Sequence, residues 1–262
     1  MKLSISNIAW THNEDEKVYK SMVKHGFSGL EIAPTRIFTE KPYDQLDSAK
    51  KWKTSIAQGY GFAISSMQSI WYGKADRIFG SDDERNNLRT YMKKAIMFAE
   101  TIGCKNLVLG CPRNRIIPES VDPAIGVHFF RELGDFAYQH HTAIGMEANP
   151  PIYHTNYINT TSEALSLIRV VDSKGFKLNL DVGTMVENNE DIAVLDGSEE
   201  LINHVHISEP GLAPIKKHLL HQELAAFLNS ISYQGFVSIE TSRMENLNDL
   251  NQMMEYVADV FT

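Results

Sequence analysis

Eight short apolar runs alternate with eight longer helical patterns along almost the whole chain. This alternation is typical of parallel strands that are buried on both faces and connected by helices. Eight such units favour a closed (β/α)₈ barrel over an open doubly wound sheet. The chain has neither a G-x-G-x-x-G loop nor a G-x-x-x-x-G-K-[ST] loop, the two glycine-rich patterns that bind nucleotides. The sequence therefore predicts an α/β fold, a single TIM barrel domain over residues 1–262. The predicted strands are residues 3–9, 29–33, 62–70, 106–110, 143–148, 176–182, 204–207 and 236–240, and the predicted helices are residues 14–25, 43–58, 82–102, 124–140, 160–171, 191–195, 218–230 and 246–261.

Composition narrows the classes of function that such a barrel can serve. The formal net charge is −8, and no run of Lys and Arg forms a stripe that would follow a phosphate backbone, so nucleic acid is not an expected partner. No apolar run reaches the roughly 20 residues that cross a bilayer, and the N-terminus lacks a signal-peptide pattern, so we expect a cytoplasmic protein without a membrane partner. Cys104 and Cys111 flank one predicted strand and are expected to be reduced thiols.

Strands five to eight each end in a polar side chain. These residues are Glu147, Asp181, His206 and Glu240, and they are separated by 34, 25 and 34 residues. Each separation is about one strand-helix unit, so the four side chains are expected at one C-terminal mouth, where active sites of such barrels lie. Three carboxylates that meet there repel one another unless a cation compensates their charge. The pattern predicts one divalent metal ion, with Mn²⁺ or Mg²⁺ favoured and Co²⁺, Fe²⁺ or Zn²⁺ also compatible.

Each of these four residues also has a purely structural interpretation. A carboxylate just after a strand often caps the following helix, and a single His is often a buried core residue. Under that interpretation the protein binds no stoichiometric metal. The common register of the four strand ends favours the metal site, because a structural cluster would bury its charges without a partner.

Other polar and aromatic residues near the strand ends are candidates for substrate contacts. Arg113 or Arg115 is suited to an anionic substrate group, because a guanidinium pairs well with phosphate or carboxylate. The alternatives are that Arg113 forms a surface ion pair and that Trp71 simply closes the end of the barrel. The predicted substrate-binding residues are Asn7, Trp10, Gln68, Trp71, Arg113, Arg115 and Asn149.

Three further features lie near the predicted mouth. Glu31 follows the second strand and is another candidate for the substrate pocket. His204 precedes His206 by two residues and therefore shares its side of the strand, where it is expected to be a buried support rather than a fifth ligand. The segment 150–157, PPIYHTNY, is expected to cover part of the site as a loop.

The strand ends carry the motifs GMEANP, NLDVGTM, HVHISEP and SIET. In these motifs the chain resembles the xylose isomerase-like barrel superfamily, specifically its sugar phosphate isomerase and epimerase branch, over nearly its whole length. The resemblance implies that Glu147, Asp181, His206 and Glu240 bind the metal and that the two Glu side chains serve as acid and base. It is also compatible with a homo-oligomer, either a dimer or a tetramer.

Two positions depart from the pattern of many epimerases. Thr184 stands where many of them carry a substrate-contacting His, three residues after the metal-binding Asp. The segment SEPGLAP, residues 208–214, lacks the Arg that many of them carry shortly after the His of strand seven. The resemblance therefore supports the metal set and leaves the substrate and the reaction open.

The chemistry that these features favour is proton transfer next to a metal-bound carbonyl, as in isomerisation or epimerisation of a sugar or sugar phosphate. Glu147 and Glu240 are the predicted acid and base, because they flank Asp181 and His206 in strand order. Two alternatives remain: a metal-dependent dehydratase of a keto-polyol, similar to inosose dehydratase, and a non-catalytic sugar-binding barrel. A DNA-repair branch of the superfamily is disfavoured by the net charge of −8 and by the lack of its additional His ligands.

Overall fold

The computed structural model describes residues 1–262 and contains a closed barrel of eight parallel strands. The strands are β1 Lys2–Ser6, β2 Gly29–Ile32, β3 Ala63–Met67, β4 Leu107–Leu109, β5 Ile144–Met146, β6 Phe176–Asp181, β7 Ile202–Ile207 and β8 Phe236–Ile239. They pair in chain order, and β1 closes the barrel against β8, with Leu3 opposite Val237. The predicted (β/α)₈ barrel is thereby confirmed.

Nine helices surround the barrel or lie at its mouth. They are α1 Asp15–Lys24, α2 Pro34–Ile37, α3 Leu46–Tyr60, α4 Asp82–Ile102, α5 Ala124–Gln139, α6 Thr161–Val171, α7 Val182–Asn188, α8 Leu219–Ser230 and α9 Leu247–Phe261. Hydrogen-bonded capping boxes begin α4 at Ser81 and α6 at Thr160, where the side chains also accept from the third helical N–H. None of these helices is both long enough and apolar enough to cross a membrane.

The element boundaries differ from the sequence prediction mainly at the mouth. The strands predicted over 3–9 and 62–70 end at Ser6 and Met67, where the chain enters a 3₁₀ turn, Asn7–Ala9, and the long connection to α4. The short helix α7 was not predicted, and the helix predicted over 191–195 is a 3₁₀ turn, Ile192–Leu195. Single apolar residues beyond the strand ends, such as Ile8 and Ile70, account for the overlong predictions.

A Gly-Phe pair stands at or just before the start of β2, β6 and β8, but only the first of the three glycines ends a helix in the left-handed conformation. Gly26 adopts the left-handed φ of 77°, as a helix-ending glycine does. Gly175 and Gly235 do not have positive φ values. A Cβ on Gly175 would lie 2.1 Å from the carbonyl oxygen of Gly134 in α5, so this glycine is required by close packing of helix and strand.

The apolar core fills the layer between strands and helices. It is a continuous cluster of 64 buried residues that includes Phe130 of α5, whose ring stacks on Phe176 of β6 with centroids 5.1 Å apart. Cys104 belongs to this core, and both cysteines are free thiols, as predicted. This layer holds the strands in register and thereby positions their C-terminal ends.

Candidate metal site and mouth cavity

The four predicted ligand residues meet at the C-terminal end of the barrel. Asp181 ends β6 and His206 lies in β7, while Glu147 and Glu240 directly follow β5 and β8. One potential ligand atom from each side chain lies within 4.8 Å of all the others. Nδ1 of His206 is 3.1 Å from Oε1 of Glu147 and 3.2 Å from Oε2 of Glu240. We call these four residues the ligand cluster.

The separations within the ligand cluster suit one divalent ion. Ligand atoms on neighbouring corners of an octahedron with bonds of about 2.1 Å lie about 3.0 Å apart, and those on opposite corners lie about 4.2 Å apart. The contacts of 3.1 Å and 3.2 Å match the separation of neighbouring corners. Three carboxylates and one imidazole are also a donor set that divalent metals accept. The residues present therefore fit a metal ion.

The electrostatics of the ligand cluster favour a cation at its centre. The three acids are between 7% and 9% exposed, and His206 is fully buried. Burial raises the pKa of Glu240 to about 7, and burial together with the Glu147 carboxylate raises the pKa of Asp181 to about 6. Burial opposes a charged His206, but the carboxylates of Glu31 and Glu240 outweigh it and hold its pKa well above the ordinary value. A divalent ion relieves the repulsion among the acids.

Two amide side chains hold the Glu147 carboxylate in place. Its Oε1 accepts a hydrogen bond from Nδ2 of Asn179 at 2.8 Å, and its Oε2 accepts one from Nδ2 of Asn149 at 3.3 Å. Gly110, which follows β4, leaves space for this carboxylate, since a Cβ there would lie 2.6 Å from Oε2. The position of Glu147 thus depends on residues from three neighbouring strands.

Asp181 is held by different partners. Its Oδ2 accepts from Oγ of Ser208 at 2.5 Å, and its Oδ1 accepts from the backbone N–H of Thr184 at 2.6 Å. The second bond is an N-cap of α7, so the helix-cap interpretation applies to Asp181 as well. Both oxygens of Asp181 are therefore held by short hydrogen bonds to groups in or next to α7 and β7.

A cavity of about 890 Å³ opens above the ligand cluster. All three acids of the ligand cluster line this cavity. Four of the seven predicted substrate-binding residues also line it: Gln68, Trp71, Arg113 and Asn149. The segment 150–157 contributes Tyr153 and His154 to the wall, and the Tyr153 hydroxyl accepts from the backbone N–H of Gly211 at 2.9 Å. The volume lies in the range of small-molecule sites.

Comparison with known proteins agrees with this architecture. The family model described as xylose isomerase-like TIM barrel matches residues 20–260. The chain belongs to the xylose isomerase-like TIM barrel family. A search of curated protein sequences finds no match.

Solved structures that resemble this xylose isomerase-like barrel include two sugar epimerases. A D-psicose 3-epimerase from Clostridium cellulolyticum H10 has 18% identity and a TM-score of 0.79, covering 100% of this chain and 98% of its own. A 3-keto-D-glucoside 4-epimerase from E. coli has 19% identity and a TM-score of 0.78, covering 99% of each chain. An AP endonuclease of family 2 from Brucella melitensis has 17% identity and a TM-score of 0.74, covering 99% of each chain. At these identities the likeness shows the fold alone.

Three predicted substrate-binding residues of this family member do not line the cavity. Oδ1 of Asn7 accepts from the backbone N–H of Ala33 at 2.9 Å, and Nε1 of Trp10 donates to Asp15 at 2.7 Å, so both side chains bond to neighbouring segments of the chain. Arg115 is fully buried, where it cannot reach a substrate in the cavity without rearrangement.

Arg115 instead forms hydrogen bonds to two residues that line the cavity, Glu147 and Asn149. It donates to the backbone carbonyl of Glu147 at 2.8 Å and to Oδ1 of Asn149 at 2.5 Å, and burial lowers its pKa to about 10. Since Asn149 in turn donates to Glu147, the guanidinium orients one of the amides that hold this acid. Neighbouring Arg113 is exposed and lines the cavity, so the two arginines have separate environments.

Several residues of the site were not predicted. Asn179 and Ser208 lie two residues from Asp181 and His206, a spacing that places them on the same side of their strands and is the signal that could have found them. Lys74 and Arg77 also line the cavity, from the long connection between β3 and α4, where no periodic pattern marks them.

Both departures from the epimerase pattern are visible in the mouth. Thr184 is buried and its hydroxyl donates to the carbonyl oxygen of Ala148 at 2.8 Å, so it does not line the cavity. The segment 208–214 contributes Ser208 and Leu212 to the wall and no cation. The cationic side chains that line the cavity, Lys74, Arg77 and Arg113, come from other loops.

Proposed function

We propose that this protein is a divalent-metal-dependent isomerase or epimerase of a sugar or sugar phosphate, in which Glu147 and Glu240 transfer a proton next to the substrate carbonyl. One observation carries the proposal. The two carboxylates approach the same nitrogen atom, Nδ1 of His206, at 3.1 Å and 3.2 Å, and both line one cavity. A substrate held at this point has a carboxylate available from β5 and another from β8.

The acids of the ligand cluster are proposed to have separate roles. When bound, the divalent ion polarises the substrate carbonyl and stabilises the negative charge that develops on its oxygen. Asp181, with both oxygens occupied by Ser208 and Thr184, serves as a fixed ligand. Glu147 and Glu240 take the roles of base and acid, one removing the proton from carbon and the other returning one.

The rim of the cavity favours a substrate that carries a negative group. Lys74, Arg77 and Arg113 line the cavity, and none of them forms an ion pair with a carboxylate. Two guanidinium groups near one mouth suit phosphate or carboxylate. The cavity of about 890 Å³ is also near the upper end of the roughly 300–1,000 Å³ typical of ligand sites, which leaves room for a substituted sugar.

The test is an NMR screen of sugars, polyols and their phosphates in D₂O. Protein reconstituted with Mn²⁺ is incubated with each compound, and Mg²⁺ replaces Mn²⁺ while spectra are recorded. Deuterium incorporated at a carbon next to the carbonyl supports proton transfer, and the mass of the product distinguishes an isomer from a compound that has lost water. Tight binding without exchange at any pH or metal load would instead support a non-catalytic sugar-binding barrel.

Variants assign the exchange to the two acids. Glu147→Gln and Glu240→Gln should each nearly abolish deuterium incorporation while the circular dichroism spectrum is retained. Glu209→Gln is the matched control, because Glu209 is also buried and hydrogen-bonded to a His but does not line the cavity. Full exchange activity in either of the first two variants contradicts the proposed mechanism.

The proposed preference of the cavity for an anionic substrate is tested by comparing a free sugar with its phosphate. The combined variant Arg77→Gln and Arg113→Gln should raise the KM of D-fructose 6-phosphate at least tenfold if that compound is a substrate, and change the KM of D-fructose little. The same comparison is made for any other pair of free and phosphorylated sugars that the screen identifies. An equal change in the KM of both members of the pair would show that Arg77 and Arg113 do not bind the phosphate group.

A further inference from the structure

Two further ionisable side chains, Glu31 and His204, lie inside the barrel beside His206 of the ligand cluster. Glu31, His204 and His206 are 0%, 1% and 0% exposed, and none of the three lines the cavity. Oε2 of Glu31 lies 3.0 Å from Nε2 of His204 and 2.8 Å from Nε2 of His206. Both distances are typical of N–H···O hydrogen bonds. One carboxylate oxygen of β2 therefore accepts from two imidazoles of β7.

The two nitrogens of the His206 ring face different partners. Nδ1 faces Glu147 and Glu240 of the ligand cluster, and Nε2 faces Glu31 on the other side of the ring. A carboxylate can only accept, so the bond to Glu31 places a proton on Nε2. A neutral imidazole with its proton on Nε2 has its lone pair on Nδ1, which is the atom that faces the other ligands.

We infer that Glu31 is a positioning residue for the metal ligand His206: it fixes the ring with Nε2 protonated and Nδ1 directed at the metal, and its negative charge strengthens the bond from Nδ1 to the metal. The inference rests on the proposed metal-dependent function, because it concerns the affinity of the same site. Carboxylates that accept from a metal-binding His act in this way, and their loss typically weakens metal binding by about 10–100-fold.

The position of Glu31 is itself fixed by polar contacts across the barrel. Its Oε1 accepts from Nε2 of Gln68 at 3.1 Å, and the same Gln68 nitrogen donates to Oγ of Ser6 at 2.6 Å. The carboxylate is thus bonded to His204 of β7 and to Gln68, which directly follows β3 and is itself bonded to Ser6 of β1. A carboxylate held in this way cannot rotate to leave Nε2 of His206 without breaking several buried hydrogen bonds.

The substitution Glu31→Gln tests the inference, because it keeps the shape and one acceptor oxygen and removes the charge. Mn²⁺ affinity is measured by calorimetry with a competing chelator, on the folded full chain and without any substrate. We expect one ion per chain in the wild type and an affinity that is about 10–100-fold lower in Glu31→Gln. The control Glu209→Gln neutralises a buried carboxylate that accepts from Nε2 of His218 at 2.7 Å, outside the ligand cluster, and should leave the affinity unchanged.

A second measurement uses the wild type alone and so does not depend on the folding of a variant. In the Zn²⁺-loaded, ¹⁵N-labelled protein, long-range ¹H–¹⁵N spectra distinguish a protonated ring nitrogen from one bound to metal. We expect His206 with a proton on Nε2 and metal on Nδ1. Metal on Nε2, or a proton on Nδ1, overturns the inference.

The outcomes separate the inference from the proposed function. If the wild type binds one ion and Glu31→Gln binds it with the same affinity, the inference fails and the metal-dependent function stands. If the wild type binds two ions and the variant binds one, Glu31 is a ligand of a second metal, and the inference fails as well. If the wild type binds no divalent ion, both the inference and the metal-dependent function are wrong.

Discussion

The interior of the barrel and the layer between strands and helices are both buried, but different kinds of side chain fill them. Hydrogen bonds between strands that are not neighbours identify the interior: Oγ of Ser4 and Ser65 are 2.6 Å apart across β1 and β3, and Glu31 in β2 bonds to His204 in β7. Each of these side chains is at most 3% exposed. The interior near the mouth is thus a network of paired polar groups.

The outer layer contains the residues that alternate with these along the same strands. Ile5, Ile32 and Val205 directly follow Ser4, Glu31 and His204 in sequence and belong to the apolar cluster. Polar groups in the interior depend on particular partners, whereas apolar groups in the layer depend on filled volume. Changes in the interior should therefore alter metal binding and chemistry, and changes in the layer should alter the stability of the fold.

Removal of the metal should produce the largest effect, and it should be confined to the interior. Stripping the ion with a chelator is expected to lower the rate of solvent exchange more than about 1,000-fold, or about 4 kcal/mol in the activation barrier. The circular dichroism spectrum should remain native, because the apolar layer is untouched. Exchange that persists in protein shown to be free of metal would contradict the role assigned to the ligand cluster.

A substitution that leaves a cavity in the outer layer should lower the stability of the fold and leave metal binding unchanged. Phe130→Ala removes a fully buried ring that stacks on Phe176 and should lower the free energy of unfolding by about 3–5 kcal/mol in urea titrations. Tyr138→Ala, at an exposed position of the same helix, is the control and should change it by less than about 1 kcal/mol. Mn²⁺ stoichiometry of folded Phe130→Ala should be unchanged, and a lost metal site would show that the two regions are coupled.

One titratable group in the outer layer should make stability depend on pH. Burial lowers the pKa of His221 to about 4, and its Nδ1 lies 2.9 Å from the Tyr256 hydroxyl. As pH falls from about 6.5 towards 4, the unfolded chain binds a proton at this position and the folded chain does not, so up to about 3 kcal/mol of stability is lost. His221→Gln should remove this part of the pH dependence, whereas His128→Gln, at an exposed position, should retain it.

The smallest effect should come from one methyl group placed beside the ligand cluster. Gly110→Ala puts a Cβ 2.6 Å from Oε2 of Glu147, and the displaced carboxylate should lower the exchange rate about tenfold, equivalent to about 1.4 kcal/mol. The melting temperature should change little, because the acid end can move without disturbing the apolar layer. Gly59→Ala, which meets nothing within 4 Å, is the control for both measurements.

The repeated features of the fold were accessible from the sequence. Apolar runs and helical patterns recur eight times, so a few wrong boundaries, such as the end of β1 at Ser6, leave the barrel unchanged. The ligand cluster was accessible for the same reason, because one residue at the end of each of four parallel strands must lie at the same mouth. Arg115 could not be separated from Arg113 in this way, since both follow β4 and only the path of the 3₁₀ turn at Pro112–Arg115 buries one of them.

The sequence by itself determined the barrel, the mouth at which the site lies and the four residues of the ligand cluster, because each of these follows from periodicity along the chain. Only the tertiary structure decided that Glu31 lies behind His206, 175 residues away, that Asn7 and Trp10 turn away from the cavity, and that Lys74 and Arg77 stand on its rim. The physical reason is that contacts across a barrel depend on its closure, on strand stagger and on the paths of loops. No local pattern in the sequence encodes these quantities.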